Sequence, residues 1–299
     1  MNIIKPKKIS KGDTITIIAP SGCVEKDKVL NSKIYFENKG YKVKLANHIF
    51  NKFRYMAATD EQRAQDLNDA FSDSETSAVI CARGGYGAIR ILDKIDYSVI
   101  RSNPKIFCGY SDITALSAMI YKNTGLISFS SPMAKGDFQE GAVDKYTENS
   151  FWSTINGKSF KIVPDKLKIY KEGGANGVLF GGNLSTLVSL CGLDFIPDEP
   201  FIFFAEDLNE PVYKIDRCFS QLMNIDKFKK NIRALILGDF LDVESKVQLD
   251  ELFFEISDKL NIPCYGGFRI SHSTSKCTVP FGIQAKLDKT IITFNNPLV

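Results

Sequence analysis

The sequence predicts an α/β fold in which a doubly wound parallel sheet is followed by a second, smaller α/β region. Two observations carry this prediction. Short β-branched or aromatic runs alternate with longer amphipathic segments as far as residue 130, which is typical of strands joined by helices that cover both faces of a parallel sheet. A polar, glycine-rich stretch near residues 138–176 then interrupts the alternation.

The elements of the first half follow from local patterns. "TITIIAPSG" at 14–22 predicts a buried strand that ends in a turn, and residues 25–38 have helical spacing. Thr59 and Gln62 match a capping box, which predicts a helix that begins there and runs to about Phe71. The other elements predicted in this half are strands at 41–46, 77–83, 105–110 and 125–130 and a helix near 112–123.

The second half has more antiparallel character. We expect a first domain at 1–140, a linker with a weak strand or two at 141–176, and a second domain at 177–299. The elements predicted in the second domain are strands at 201–207, 233–240 and 262–268, helices near 211–224 and 246–260, and a β-hairpin within 278–294.

Composition excludes several classes of protein. A net charge of +3, spread along the chain, is too small to indicate a nucleic-acid partner. The sequence has no run of about 18 apolar residues and no N-terminal signal-peptide pattern, so we expect no membrane span and no secretion. Seven widely spaced cysteines without a C-x-x-C pair indicate reduced thiols in a cytoplasmic protein.

Metal and cofactor signals are weak. The chain has only 2 histidines, far apart, and no H-E-x-x-H motif, so we expect no metal site. The glycine loop "ARGGYGAIRIL" at 82–92 has neither the G-x-G-x-x-G spacing nor a P-loop lysine, so we expect no nucleotide cofactor. Such a loop, after a strand and before a helix, can instead bind an anion, form an oxyanion hole or be a simple turn.

Ser111 is the candidate nucleophile. It follows a predicted strand and precedes a predicted helix in "FCGYSDITAL", where a bend would expose its hydroxyl beside backbone N–H groups. The match to a G-x-S-x-G elbow is partial, and the same pattern is more often a simple helix cap, with Asp112 in the first turn interacting favourably with the helix dipole. Cys108 is a third possibility, although a strand cysteine without a positive neighbour is a poor nucleophile.

A serine nucleophile needs a base and a carboxylate that orients it. His272 lies in a polar loop after a predicted strand and suits the base better than His48, which has no carboxylate motif nearby in sequence. Glu206 ends a strongly apolar strand, where an unpaired carboxylate would be costly to bury. The alternative is that its neighbours Asp207 or Asn209 cap the helix near residue 211.

Six stretches together resemble the LD-carboxypeptidase family of serine peptidases: "IIAPSG", "RGGYGAIRIL", "GYSDITAL", "GGNLSTLVSLCG", "AEDLNEPVYKIDR" and "VPFG" after a histidine. The resemblance implies a flavodoxin-like N-terminal domain, a smaller swivelling β/α C-terminal domain and a homodimer. It implies a cytoplasmic muramoyl-tetrapeptide carboxypeptidase that releases D-alanine during peptidoglycan recycling. A sister group resembles microcin-immunity peptidases, which cleave peptidyl-nucleotide analogues.

The resemblance also implies roles for individual residues. The family's nucleophile falls on Ser111, its glutamate on Glu206 and its histidine on His272. Its oxyanion donors fall on the backbone N–H groups of Gly85 and Asp112.

One position departs from the family's pattern, because Ser271 stands where the family usually has glycine before the histidine. A carboxypeptidase must also bind a terminal carboxylate, for which Arg83 and Arg217 are candidates. A non-catalytic protein that holds an anion in the glycine loop is the alternative of a different class.

Overall fold

The computed structural model describes residues 2–299 and contains two sheets, each flanked by helices. The elements up to residue 137 are β1 (Thr14–Ile18), α1 (Lys26–Asn38), β2 (Lys42–Leu45), α2 (Asp60–Ser72), β3 (Thr76–Cys81), a 3₁₀ helix (Ala88–Lys94), α3 (Tyr97–Ser102), β4 (Ile106–Cys108), α4 (Ile113–Thr124), β5 (Ser128–Ser130) and α5 (Ala134–Asp137).

The elements beyond residue 137 are α6 (Lys145–Ile155), β6 (Lys161–Ile162), β7 (Lys168–Lys171), β8 (Ala175–Asn183), α7 (Leu184–Val188), β9 (Phe201–Leu208), α8 (Val212–Met223), α9 (Asp226–Asn231), β10 (Ile232–Leu241), α10 (Lys246–Leu260), β11 (Cys264–Gly266), β12 (Val279–Phe281), β13 (Gln284–Asp288) and β14 (Ile291–Phe294).

The first sheet confirms the predicted doubly wound fold. Its strand order is β12-β5-β4-β3-β1-β2, and β1 to β5 are parallel to their neighbours in the order 2-1-3-4-5 of flavodoxin-like folds. All five residues of β1 are buried, as expected for a strand covered on both faces. The order reverses between β1 and β3, so loops at the carboxyl ends of these strands form the natural crevice.

Helix α2 begins where the sequence predicted. The Thr59 hydroxyl accepts a hydrogen bond from the Gln62 N–H, and the Gln62 side chain accepts one from the Thr59 N–H. This capping box satisfies backbone donors that would otherwise have no partner. Inside α2, the fully buried Arg63 donates to the carbonyl of Gly87 at 2.8 Å and so ties the helix to the glycine loop.

The second sheet is mixed and curled. Its order is β6-β14-β13-β8-β9-β10-β11-β7, in which β8 to β11 are parallel and the outer strands are antiparallel. Phenylalanines fill its core, and Phe201 and Phe203 each lie within 5.5 Å of the ring of Phe228. Both edge strands, β6 and β7, come from the segment 141–176, which also contains α6.

The predicted hairpin within 278–294 is only partly correct. Strands β13 and β14 do form a hairpin, but β12 leaves it and pairs antiparallel with β5 in the first sheet. Val279 lies opposite Ser130 and Phe281 lies opposite Ser128. The chain therefore returns from the second domain to the first, which no local pattern could indicate.

Two further features bear on the predicted class. No helix within residues 2–299 combines the length and apolar character needed to cross a lipid bilayer. All seven cysteines are free thiols, four of them buried and three partly buried.

Gly181, in the middle of β8, provides a test of the second sheet. Its φ is +150°, and a Cβ there would lie 1.8 Å from the Phe204 carbonyl oxygen on β9. We expect Gly181→Ala to lower the free energy of unfolding by about 3 kcal/mol or more, because strand pairing must open to admit the methyl group. Urea denaturation followed by circular dichroism measures this change.

The matched control is Gly136→Ala in α5, where a Cβ would meet nothing within 4 Å. We expect that variant to change stability by less than about 1 kcal/mol. Equal losses in the two variants would contradict the packing described for β8.

Candidate active site

Three loops at the carboxyl edge of the first sheet meet beside the point where its strand order reverses. They follow β1, β3 and β4, and they contain Ser21, the glycine loop at 82–87 and Ser111 respectively. The rule for open α/β sheets places ligands at this edge. The sequence-predicted nucleophile and glycine loop are therefore brought together by topology.

Ser111 lies on a strained bend. Its φ is +60°, in the left-handed region that a residue with a Cβ adopts at a cost of about 1–2 kcal/mol. The bend is tight because a Cβ at Gly109 would lie 2.8 Å from the Ile113 side chain. A left-handed serine between a strand and a helix is the geometry of a nucleophile elbow, although the second glycine of that motif is missing from the sequence.

The glycine loop packs directly on this serine. A Cβ at Gly84 would lie 2.9 Å from the Ser111 Oγ and 3.3 Å from the Asp112 backbone nitrogen, so no larger residue fits there. The Gly22 N–H donates to the Gly84 carbonyl at 3.0 Å and fixes the loop against the turn after β1. Gly85 is exposed, with a φ of +102°.

Asp112 joins the three loops through its side chain. Its buried carboxylate accepts hydrogen bonds from the Ala88 N–H at 2.8 Å and from the Ser21 hydroxyl. Burial raises the pKa of Asp112, and these two hydrogen bonds act in the opposite direction. Although Asp112 occupies the N-cap position of α4, its side chain makes no capping hydrogen bond. It instead holds the three loops together.

His272 pairs with Glu206 from the second domain. The His272 Nδ1 and Glu206 Oε2 atoms are 2.6 Å apart, and Glu206 is 2% exposed near the end of β9. Burial raises the pKa of Glu206, while the hydrogen bond to His272 lowers it. Ser271, the departure from the family pattern, accepts a hydrogen bond from the Ser273 N–H at 2.8 Å and so stabilises a turn around the histidine.

The His272 loop meets the elbow through Tyr110. The rings of Tyr110 and His272 pack edge to face with centroids 5.0 Å apart, and Tyr110 immediately precedes Ser111. Within residues 2–299 the Ser111 hydroxyl makes no hydrogen bond to His272. The structure thus brings the two loops into contact and pairs the histidine with the glutamate.

Residues of β8 and β9 support Glu206. Asn183 lies opposite Glu206 in the strand register, and its side-chain amide donates to Asp207 at 2.8 Å. Asp207 also accepts from the Ser185 N–H at 2.9 Å and therefore anchors the start of α7. The expectation that Asp207 or Asn209 caps the next helix is wrong.

At the start of that helix, α8, the first N–H belongs to Val212 and donates to the Glu244 carboxylate at 3.0 Å. The cap therefore comes from a residue 32 positions along the chain.

The two candidate arginines lie in different surroundings. The Arg83 Nη1 donates to the Cys23 carbonyl at 2.9 Å, and its Nε lies 3.8 Å from the position of a Cβ on Gly85. Arg217 is exposed on α8, where its guanidinium lies 5.4 Å from the ring centroid of Tyr213. Arg83 is therefore part of the glycine loop, and its side chain lies against Gly85.

His48, the alternative base, and Cys108, the alternative nucleophile, lie in surroundings unlike those of Ser111. His48 has a carboxylate partner in the fold, although none is close to it in sequence: its Nδ1 lies 2.8 Å from Oδ1 of Asp66, which is 18 positions further along the chain. That pair follows β2, at the edge of the first sheet. Cys108 is fully buried in β4, and burial raises the pKa of its thiol to about 12. Among residues 2–299, no three histidine, cysteine, aspartate or glutamate side chains form a possible metal-binding group.

Comparison with known proteins identifies the family. Residues 15–131 match the LD-carboxypeptidase N-terminal domain, and residues 176–287 match the LD-carboxypeptidase C-terminal domain. The chain belongs to the LD-carboxypeptidase family. It is a hydrolase of the carboxypeptidase class, and its relatives support a serine peptidase.

Two groups of relatives carry names that state a substrate or a biological role. A probable murein peptide carboxypeptidase of Bacillus subtilis is 35% identical over 292 residues, which cover 95% of this chain and 91% of that protein. The crystal structure of a muramoyltetrapeptide carboxypeptidase from Oxalobacter formigenes matches with a TM-score of 0.85 and 28% identity, covering 96% of this chain and all of that one.

The second group is represented by the microcin C7 self-immunity protein MccF of Escherichia coli. It is 30% identical over 317 residues, which cover 94% of this chain and 92% of that protein. A structure of MccF in complex with glutamyl sulfamoyl guanosine matches with a TM-score of 0.88 and 27% identity over 99% of each chain.

Sequence reasoning missed several residues that hold this region together. Ser21 and Asn183 lie within stretches that carried the family resemblance, "IIAPSG" and "GGNLSTLVSLCG", so a signal for them existed. Tyr110 lies in another of these stretches, "GYSDITAL". Lys276 had no comparable signal, because its contact with Tyr110 joins positions 166 apart along the chain.

The strained φ of Ser111 gives a testable stability difference. We expect Ser111→Gly to be more stable than Ser111→Ala by about 1 kcal/mol, because glycine adopts a positive φ without the Cβ penalty. Urea unfolding of the two variants measures the difference. The same pair of substitutions at Lys33, inside α1, should show the opposite order, since glycine is unfavourable in a helix. An Ala variant at 111 that is the more stable would contradict the strained bend.

Proposed function

We propose that this protein is a cytoplasmic serine carboxypeptidase that cleaves the L,D bond of murein tetrapeptides and releases D-alanine in peptidoglycan recycling. The observation that carries the proposal is the strained Ser111 elbow, packed against the glycine loop and facing a loop whose histidine is paired with a buried glutamate. The names of the murein and muramoyltetrapeptide carboxypeptidase relatives support the substrate class.

In this proposal Ser111, His272 and Glu206 form the catalytic triad. Neutral His272 accepts the Ser111 hydroxyl proton through Nε2 as Oγ attacks the scissile carbonyl carbon. His272 then gives that proton to the amino group of D-alanine as the peptide bond breaks and an acyl-enzyme forms. Water, deprotonated by His272, hydrolyses the ester and restores the serine. The Glu206 contact at Nδ1 orients the ring and stabilises the imidazolium.

The backbone N–H groups of Gly85 and Asp112 form the proposed oxyanion hole. The Asp112 nitrogen lies 3.3 Å from the position that a Cβ would take on Gly84, the residue before Gly85, and this proximity supports the assignment. The loss of a single such donor raises the barrier by about 3–4 kcal/mol in a well-studied peptidase. The Asp112 side chain, tied to Ala88 and Ser21, keeps the two segments at a fixed separation.

Arg83 is the preferred candidate for binding the terminal carboxylate of the substrate. Its side chain lies beside the glycine loop, and a guanidinium can bind a carboxylate through two parallel hydrogen bonds. Arg217 remains the second candidate, although its guanidinium lies over the ring of Tyr213. If either arginine binds this carboxylate, removal of that arginine side chain should raise KM.

We also propose the cytoplasmic location, the division into domains at 1–140 and 177–299, and a homodimer. The seven free thiols support a reducing compartment. Size-exclusion chromatography with light scattering tests the dimer.

A peptidyl-nucleotide analogue is the second candidate substrate. The similarity to MccF, one of whose structures contains glutamyl sulfamoyl guanosine, supports this alternative. Both substrates present an acyl group to the same nucleophile, so the triad does not distinguish them. The difference lies in the leaving group that the site must accept.

The two histidines provide a matched test of the proposed triad. We expect His272→Ala to lower kcat/KM by about 10⁴-fold, because no other base can accept the serine proton. The kcat/KM of His48→Ala should stay within about threefold of the value for the unmodified protein. Equal losses in the two variants would contradict the assignment of His272.

The substrate test compares two compounds. Purified protein is incubated with L-Ala-γ-D-Glu-diaminopimelate-D-Ala and, separately, with an aminoacyl-sulfamoyl adenylate, and the products are identified by mass spectrometry. We expect tripeptide and free D-alanine from the first compound, and none of either when Ser111 is replaced by alanine. Cleavage of the adenylate alone would favour the second candidate. Cleavage of neither would favour the non-catalytic anion-binding alternative.

A further inference from the structure

A buried ion pair connects the His272 loop, the segment between β11 and β12, to helix α5. The Lys276 ammonium contacts the Asp137 carboxylate, and both side chains are less than a tenth exposed. Lys276 belongs to the loop after β11, whereas Asp137 ends α5 in the N-terminal half of the chain. The pair therefore joins the loop that carries the histidine to the part of the molecule that carries Ser111.

Tyr110 lies between this ion pair and the histidine. The Lys276 Nζ is 3.3 Å from the Tyr110 hydroxyl oxygen and 4.7 Å from its ring centroid. The same ring packs edge to face against His272. Tyr110, Lys276 and Glu206 also line one small cavity. A continuous chain of contacts thus runs from Asp137 through Lys276 and Tyr110 to His272.

Both ends of this chain are anchored. The second oxygen of Asp137 accepts from the Met133 N–H at 2.8 Å. The Lys276 N–H donates to the Thr147 hydroxyl at 2.9 Å, and the same hydroxyl donates to the Thr274 carbonyl at 2.9 Å. These bonds fix the loop backbone against α6, so the position of the Lys276 side chain is set from both sides.

Stability alone is a weak reason for such a pair. Desolvation largely cancels the attraction between two buried charges, so apolar residues of similar volume serve stability equally well. A charged pair differs from apolar residues in its directionality, because it holds two segments at one distance and one angle. That property suits the contact between the His272 loop and the Ser111 elbow.

We propose that Asp137, Lys276 and Tyr110 position His272 relative to Ser111 across the domain interface. None of the three takes part in bond making; they act through the histidine. This inference rests on the proposed serine-peptidase function, but it concerns residues that the proposed triad does not include.

The electrostatic surroundings of His272 allow a direct test. The titratable groups in contact with its ring are Glu206 from β9 and Tyr110 from the elbow. Lys276, from the same loop as the histidine, contacts Tyr110 and is paired with Asp137, and Asp207 is next to Glu206. Burial raises the pKa of Tyr110 well above its usual range, so its hydroxyl stays protonated. Changes at Lys276 and Asp137 therefore alter the local charge in opposite directions.

The experiment is an NMR titration of the imidazole in a His48→Gln background, where His272 is the only histidine. Lys276→Met should raise the His272 pKa by a few tenths of a pH unit, Asp137→Asn should lower it, and the double variant should return toward the parent. Lys122→Met, which removes an ion pair with Asp198 elsewhere in the fold, is the control and should leave it unchanged.

A second readout is the rate at which a fluorophosphonate labels Ser111. We expect each single variant to be labelled at least tenfold more slowly than the parent. If the single variants do not fold, Tyr110→Phe and Tyr110→Leu take their place, and only the loss of the ring should slow labelling tenfold.

Opposite pKa shifts with slower labelling would support the positioning role. Unchanged pKa values with labelling within twofold of the parent would overturn it. The titration requires no turnover, so opposite shifts in a protein whose serine is never labelled would support the positioning contacts while refuting the proposed serine-peptidase function.

Discussion

The pairing of β12 with β5 is the interaction on which the candidate site depends. Glu206 and His272 belong to the second domain, whereas Ser111 belongs to the first, so the histidine loop must be held from both ends. One end leaves β11 in the second sheet, and the other enters β12 in the first sheet. Because the loop spans the two sheets, the strand pairing at Val279 and Ser130 limits where His272 can lie.

Buried carboxylates organise the rest of the site in a similar way. Asp112 joins three loops of the first sheet, Asp207 anchors the start of α7, and Asp137 holds the histidine loop. In each case burial is offset by N–H donors, a hydroxyl or an ammonium group, as the cost of an unpaired charge requires. Polar groups with several partners define distances more sharply than apolar packing does.

The sequence predicted the fold where signals were local. The β-branched runs, the alternation with helices and the Thr59 capping box were confirmed because each depends on residues within about a turn of one another. The pairing of β12 with β5 in the first sheet joins residues about 150 positions apart, and no local pattern encodes it. For the same reason the pairing of Lys276 with Asp137, 139 positions apart, had no signal, whereas the strand-end position of Ser111 did.

The return of β12 also has a consequence for the order in which the chain assembles. Strands β1 to β5 are synthesised first, yet the outer edge of β5 stays unpaired until roughly 150 further residues have been made. Until then Ser111, the proposed nucleophile, lies in a nascent chain in which the His272 loop is not yet held beside it. In the proposed mechanism, a partly synthesised chain of this design is therefore inactive, and its active site is completed only by late, long-range strand pairing.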